Sequence, residues 1–179
     1  MTRPVRRVVT GHHADGRSTV VIDAPAPNVK RRQAGNGSTL LWVTDTSPAR
    51  ISSGDNAARE IAVPPPARGT IFRIAEFPAR VGGEVRDHAA LLRDFGIGPD
   101  VLPGHPPRHA AIHRTRSLDY VVVLEGEIWL LLDDGEVHLH AGDVVVQQAT
   151  NHAWINRASS TCRLAMVFVD AEEPPQLSR

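Results

Sequence analysis

From Asp119 onward, short alternating apolar runs follow one another with only Gly-, Asp- or Asn-containing turns between them, and this constrains the fold more than any other feature. The runs are Asp119 to Leu124, Glu127 to Leu132, Glu136 to His140, Val144 to Gln147, His152 to Ile155 and Arg163 to Asp170. Period-two alternation over short segments predicts β-strands, and turns such as Asp133-Asp134-Gly135 predict hairpins between them. Short antiparallel strands at this density imply an all-β sandwich or jelly-roll barrel.

Upstream the β signal is more broken. Arg6 to Thr10 and Ser18 to Ile22 flank the polar turn from Gly11 to Gly16, and Pro25 and Pro27 interrupt regular structure. Thr39 to Thr44 and Thr70 to Phe77 are the next strands, separated by a connector containing Pro64-Pro65-Pro66. Residues 1–80 are therefore expected to add strands to the barrel's sheets. Within 81–108 the period changes: Val85, Ala89, Leu92 and Phe95 share one face of a short helix that Gly96 caps, and a Pro-rich loop follows. Residues 109–170 form the barrel core and 171–179 a tail.

At 179 residues, with 41% hydrophobic and 22% charged side chains, the chain supports one buried core. Twenty Lys and Arg balance twenty Asp and Glu, so no net field recruits nucleic acid or an anionic membrane. Two basic clusters, Arg3 to Arg7 and Lys30-Arg31-Arg32, lack interleaved aromatics and read as solvated surface. The single cysteine, Cys162, excludes an intrachain disulfide and sits in an apolar strand as a buried, inert thiol. No apolar stretch approaches the ~20 residues of a membrane span, and the N-terminus lacks the apolar core of a secretory signal. A cytoplasmic protein is expected.

The candidate chemistry lies between His113 and Asn156. His113 and Thr115 are two apart and face the same way on an extended chain. Asp119 opens the next strand, and His152 comes from a distant one. His138 and His140 also have ligand spacing, but Val137 and Leu139 are the apolar alternates on that strand, so these histidines should face solvent. Gly126 and Gly142 read as turn glycines, and Asn156 as a residue that bonds a turn.

Residues 109 to 170, about a third of the chain, resemble the cupin superfamily. The first cupin motif runs G-x5-H-x-H-x(3,4)-E-x6-G and the second G-x5-P-x-G-x2-H-x3-N. This chain reads His113-x-Thr115-x3-Asp119-x6-Gly126 and Gly142-x4-Gln147-x-Ala149-x2-His152-x3-Asn156. Thr115 replaces a histidine, Asp119 a glutamate, Gln147 a proline and Ala149 a glycine; Pro107 stands at the leading glycine, and the second motif is one residue short. The resemblance implies a jelly-roll barrel, or double-stranded β-helix, that brings His152 beside His113 and Asp119.

Two imidazoles and a carboxylate would suit a divalent transition metal such as Zn, Fe, Mn or Ni, with positions left open. Thr115, a weak donor, and Gln147 would instead hydrogen-bond substrate, and Trp129 and Trp154 would wall a pocket for a small organic molecule. The resemblance also implies a homodimer formed through the N-terminal strands. Its first functional implication is a metal-assisted lyase performing decarboxylation, dehydration or isomerisation. The alternatives are an Fe(II)-dependent dioxygenase and a non-catalytic binder whose metal site has decayed.

Overall fold

The computed structural model describes residues 4–32, 35–79, 88–97 and 107–177. Within these segments the strands are β1 (Arg6–His12), β2 (Ser18–Pro25), β3 (Val29–Arg31), β4 (Gly37–Thr44) and β5 (Thr70–Phe77), then β6 (Ser117–Glu125), β7 (Glu127–Leu131), β8 (Glu136–His140), β9 (Val144–Gln148), β10 (Ala153–Ile155) and β11 (Cys162–Asp170). One helix, α1 (His88–Phe95), lies between β5 and β6. The all-β expectation holds, and every predicted strand is present within a few residues of its expected ends. β3 is an addition: Pro27 does not end regular structure, because Val29 to Arg31 pair with the start of β4.

A six-stranded antiparallel sheet, ordered β3-β4-β5-β11-β6-β9, faces a three-stranded one ordered β10-β7-β8. Their inward side chains make one core. Val43, Ile71, Val121, Val123, Leu164, Met166 and Phe168 come from the large sheet, and Ile128, Leu130 and Leu139 from the small one. A core of this kind supplies the main driving force for folding, at roughly 25 cal/mol per Å² of apolar surface buried. Of the N-terminal strands, β3 to β5 lie in the large sheet, whereas β1 and β2 pair with each other as a separate hairpin.

The helix ends as its sequence predicts. Gly96 takes φ +67°, its amide donates to the Arg93 carbonyl, and Ile97 donates to that of Leu92. Val85 and the loop from Gly98 to Pro106 lie outside the described residues. Phe95 stays on the inner face and closes one side of the cavity. Gly126, between β6 and β7, has φ +75°, and a Cβ there would lie 2.8 Å from the Thr161 carbonyl oxygen, so this hairpin requires glycine.

Candidate functional site

His113 and His152 meet through backbone pairing. Each amide donates to the other residue's carbonyl at 2.9 Å, an isolated antiparallel bridge that places the two side chains on one face. Their ring centroids are 4.6 Å apart. Both rings are fixed in the same tautomer, because Nδ1 of His113 donates to the Ala111 carbonyl and Nδ1 of His152 to that of Thr150, each at 3.0 Å. A proton held on Nδ1 leaves Nε2 as the lone-pair nitrogen in a neutral ring. Burial pushes His152 down to about 4, against the smaller pull of the Thr150 hydrogen bond, so the ring is neutral at physiological pH.

From Thr115 into β6, alternate residues carry a hydroxyl chain. Ser117 Oγ donates to Asp119 Oδ1 at 2.6 Å and stands 2.8 Å from Thr115 Oγ. Because Ser117 spends its hydrogen on the carboxylate, Thr115 is the donor in the second bond. Asp119 is 2% exposed, and burial raises it to about 7, with the Ser117 hydrogen bond and the Arg73 charge opposing. Desolvation therefore outweighs both attractive contacts and brings a carboxyl near neutrality.

These groups face a cavity of about 220 Å³, smaller than the ~300–1,000 Å³ typical of drug-sized ligands. His113, Thr115, Asp119, His152 and Trp154 line it, as do Phe95, Phe168, Arg32 and Arg73. Trp154 meets His152 edge-on at 6.0 Å. Aromatic walls therefore surround a few polar groups in an open cavity rather than a packed core.

Two sequence expectations fail here. Trp129 does not line the cavity: Ile128 and Leu130 take the inward positions of β7, while Trp129 stacks on His138 at 3.9 Å beneath the Arg157 guanidinium. Gln147 sits opposite Asp119 in the β9–β6 register and is buried, yet its amide is spent on the carbonyl and hydroxyl of Thr150, and it does not reach the cavity. Other readings stand. Asn156 bonds the carbonyls of Phe77, Pro78 and Ser160, Cys162 is buried with its thiol raised to about 11, and Tyr120 faces out.

His113 and His152 are two imidazoles oriented by their Nδ1 hydrogen bonds, a ligand type that suits a divalent transition metal. Asp119 shares their cavity with its Oδ1 bound by Ser117, and the ligand atoms of the three do not all lie within 4.8 Å of one another. Among the described residues, the group of three whose ligand atoms all lie within 4.8 Å of one another is Glu127, His138 and His140. Those histidines face solvent as expected, with His138 Nε2 2.7 Å from Glu127 Oε2.

Sequence reasoning missed Ser117 and Arg73, and both could have been found by parity. Ser117 shares the face of Thr115 and Asp119. Arg73 sits in the apolar run Thr70–Phe77 on the parity of Ile71 and Ala75, both buried.

The family profile described as Cupin domain matches residues 100–168. Phomopsin biosynthesis cluster protein D of Diaporthe leptostromiformis is 35% identical over 177 residues, covering 97% of this chain and 81% of that protein. The cupin-domain-containing oxidoreductase fogC of Aspergillus ruber is 32% identical over 175 residues, 94% of this chain and 72% of that protein. Among solved structures, the cupin domain of Schizosaccharomyces pombe Cnp3 matches 93% of this chain and 89% of its own, with a TM-score of 0.46 and 12% identity. With the two motifs on paired strands and relatives matched over nearly the whole chain, the protein belongs to the cupin superfamily, in its single-barrel Cupin domain class.

Proposed function

We propose that this chain is a small-molecule metabolic enzyme that moves a proton at an organic substrate held in the barrel cavity. The observation carrying this reading is Asp119, a buried carboxyl that shares its cavity with the His113–His152 pair and is raised to about 7. An acid that titrates near the working pH can both give and take a proton efficiently. The substrate would lie against Trp154, Phe95 and Phe168, which exclude water from the reacting atoms. Thr115 keeps lone pairs for substrate while donating to Ser117, and Ser117 holds the Asp119 carboxyl in place. His113 and His152 would hold a divalent metal. When bound, it would act as a Lewis acid toward a carbonyl or carboxylate oxygen. The reaction class that fits is lyase or isomerase chemistry: decarboxylation, dehydration or isomerisation.

The names of relatives such as the Aspergillus ruber oxidoreductase favour a second reading, oxygen-dependent oxidation. Incubating the purified protein with a panel of small oxo- and hydroxy-acids in D2O separates the two. Deuterium appearing at carbon by NMR without oxygen uptake, and lost in Asp119→Asn, supports proton transfer. Oxygen consumption with iron in the purified protein supports oxidation and counts against the first reading. Neither activity, together with tight ligand binding, would identify a binding module.

A further inference from the structure

We propose that Arg73 is the anchor for a carboxylate on the molecule this cavity binds. The inference rests on the reading of the cavity as a small-molecule site and adds the chemical class of the ligand. Arg73 lies in the middle of β5, 6% exposed, and lines the cavity. Among the described residues its guanidinium is committed only through Nη2, to the carbonyls of Ala62 at 2.8 Å and Val63 at 3.5 Å, while Nε is buried without a hydrogen-bond partner.

No carboxylate among the described residues forms an ion pair with Arg73, and the acids around it are engaged elsewhere. Glu76 is 3.3 Å from Arg163 and 3.6 Å from Arg31. Asp94 is 2.5 Å from Arg32, whose positive charge also faces the cavity and depresses that of Arg73. Asp119 lies on the same cavity and its charge pulls Arg73 upward, but it is hydrogen-bonded to Ser117 and is not within ion-pair distance.

A buried cation without a counter-ion is costly and persists where something else requires it. Arg73 nevertheless stays protonated at neutral pH, because burial lowers it only to about 10. The cavity thus presents a guanidinium that no ion pair among the described residues neutralises, beside aromatic walls and the His113–His152 pair. A compact aromatic or aliphatic acid satisfies all three, and guanidinium is the side chain best matched to a carboxylate. The stack of Arg73 on Phe168, at 5.1 Å, fixes the head group in advance.

The test titrates full-length protein, EDTA-stripped and Zn(II)-loaded in parallel, with benzoate, benzyl alcohol and inorganic phosphate by calorimetry. The expected result is at least tenfold preference for benzoate over benzyl alcohol in both forms, abolished in Arg73→Met and partly kept in Arg73→Lys. Should Arg73→Met not fold, the circular-dichroism-checked Arg73→Lys variant must still lose affinity for benzoate and not for benzyl alcohol. Preference surviving in Arg73→Met overturns the proposal. So does a preference confined to the Zn(II)-loaded form and lost in His152→Ala, because the carboxylate would then be on the metal. Phosphate binding more tightly than benzoate overturns the carboxylate assignment. Failure to bind Zn(II), with the benzoate preference intact, would sink the metal reading alone.

Discussion

Replacing Asp119 with Asn should make the protein more stable toward urea above pH 7 and change it little near pH 4. Burial holds the Asp119 carboxyl at about 7 in the native state, whereas in an unfolded chain an aspartate titrates near ~3.9. Between those values the native protein keeps a proton that the unfolded chain has released. Native stability therefore falls as pH rises through this window. At ~1.36 kcal/mol for each tenfold difference in proton affinity, the full effect is ~4 kcal/mol at pH 8. The variant carries no charge to desolvate and escapes it. Near pH 4 both side chains are neutral in the native state, and only the Ser117 hydrogen bond distinguishes them, worth ~1 kcal/mol.

The wild-type stability curve alone would hide this, because His152 pulls the other way. Its folded value of about 4 lies below the ~6.5 of an unfolded histidine, so its contribution is present above pH 6.5 and lost as pH falls through 4. Lowering pH from 6.5 to 4 therefore costs ~3 kcal/mol at His152 while returning a similar amount at Asp119, and the sum is nearly flat. Urea unfolding of both proteins at half-unit steps from pH 4 to 8.5, in EDTA, cancels His152 in the difference. A difference that does not change with pH would refute the reasoning. A wild type that gains on the variant as pH rises would show that the Arg73 charge, rather than desolvation, governs Asp119.

Four further outcomes are expected. His152→Ala should remove metal from the purified protein by elemental analysis, while His138→Ala should not, since the exposed Glu127 cluster is not the proposed centre. Ala149 adopts φ +49° where the family motif has glycine, so Ala149→Gly should leave the melting temperature equal or higher, gaining up to ~1 kcal/mol. Gly126→Ala should destabilise by more than ~1 kcal/mol in urea unfolding, since it meets both a positive φ and the Thr161 carbonyl oxygen at 2.8 Å. The proposed homodimer uses the N-terminal hairpin, where Val8, Val20 and Val21 are exposed; Val8→Lys with Val20→Lys should yield monomers by light scattering, and a dimer that persists would count against it.

Strand positions were legible because alternation and turn residues are local, and the cupin spacing tied His113 to His152 although their bridge is a long-range pairing. What was lost required knowing which of two apolar parities faces inward. In β7, Glu127-Ile-Trp-Leu-Leu131, both parities are apolar: Ile128 and Leu130 enter the core, while Trp129 and Leu131 pack in a separate cluster with Ile112 and Ala153. Gln147 failed differently. Its face was right, but a local turn took its amide. The charge state of Asp119 was unreadable because it results from a competition between burial, Ser117 and a charge 46 positions away in sequence. That competition also explains the cavity's chemistry. Had Asp119 and Arg73 formed an ion pair, each would have neutralised the other and neither would be available to a ligand. Held apart in one low-dielectric cavity, the carboxyl retains a proton it can transfer near neutrality and the guanidinium retains a charge it can offer. On the reading proposed above, together they favour a substrate that arrives as an anion and reacts through a proton.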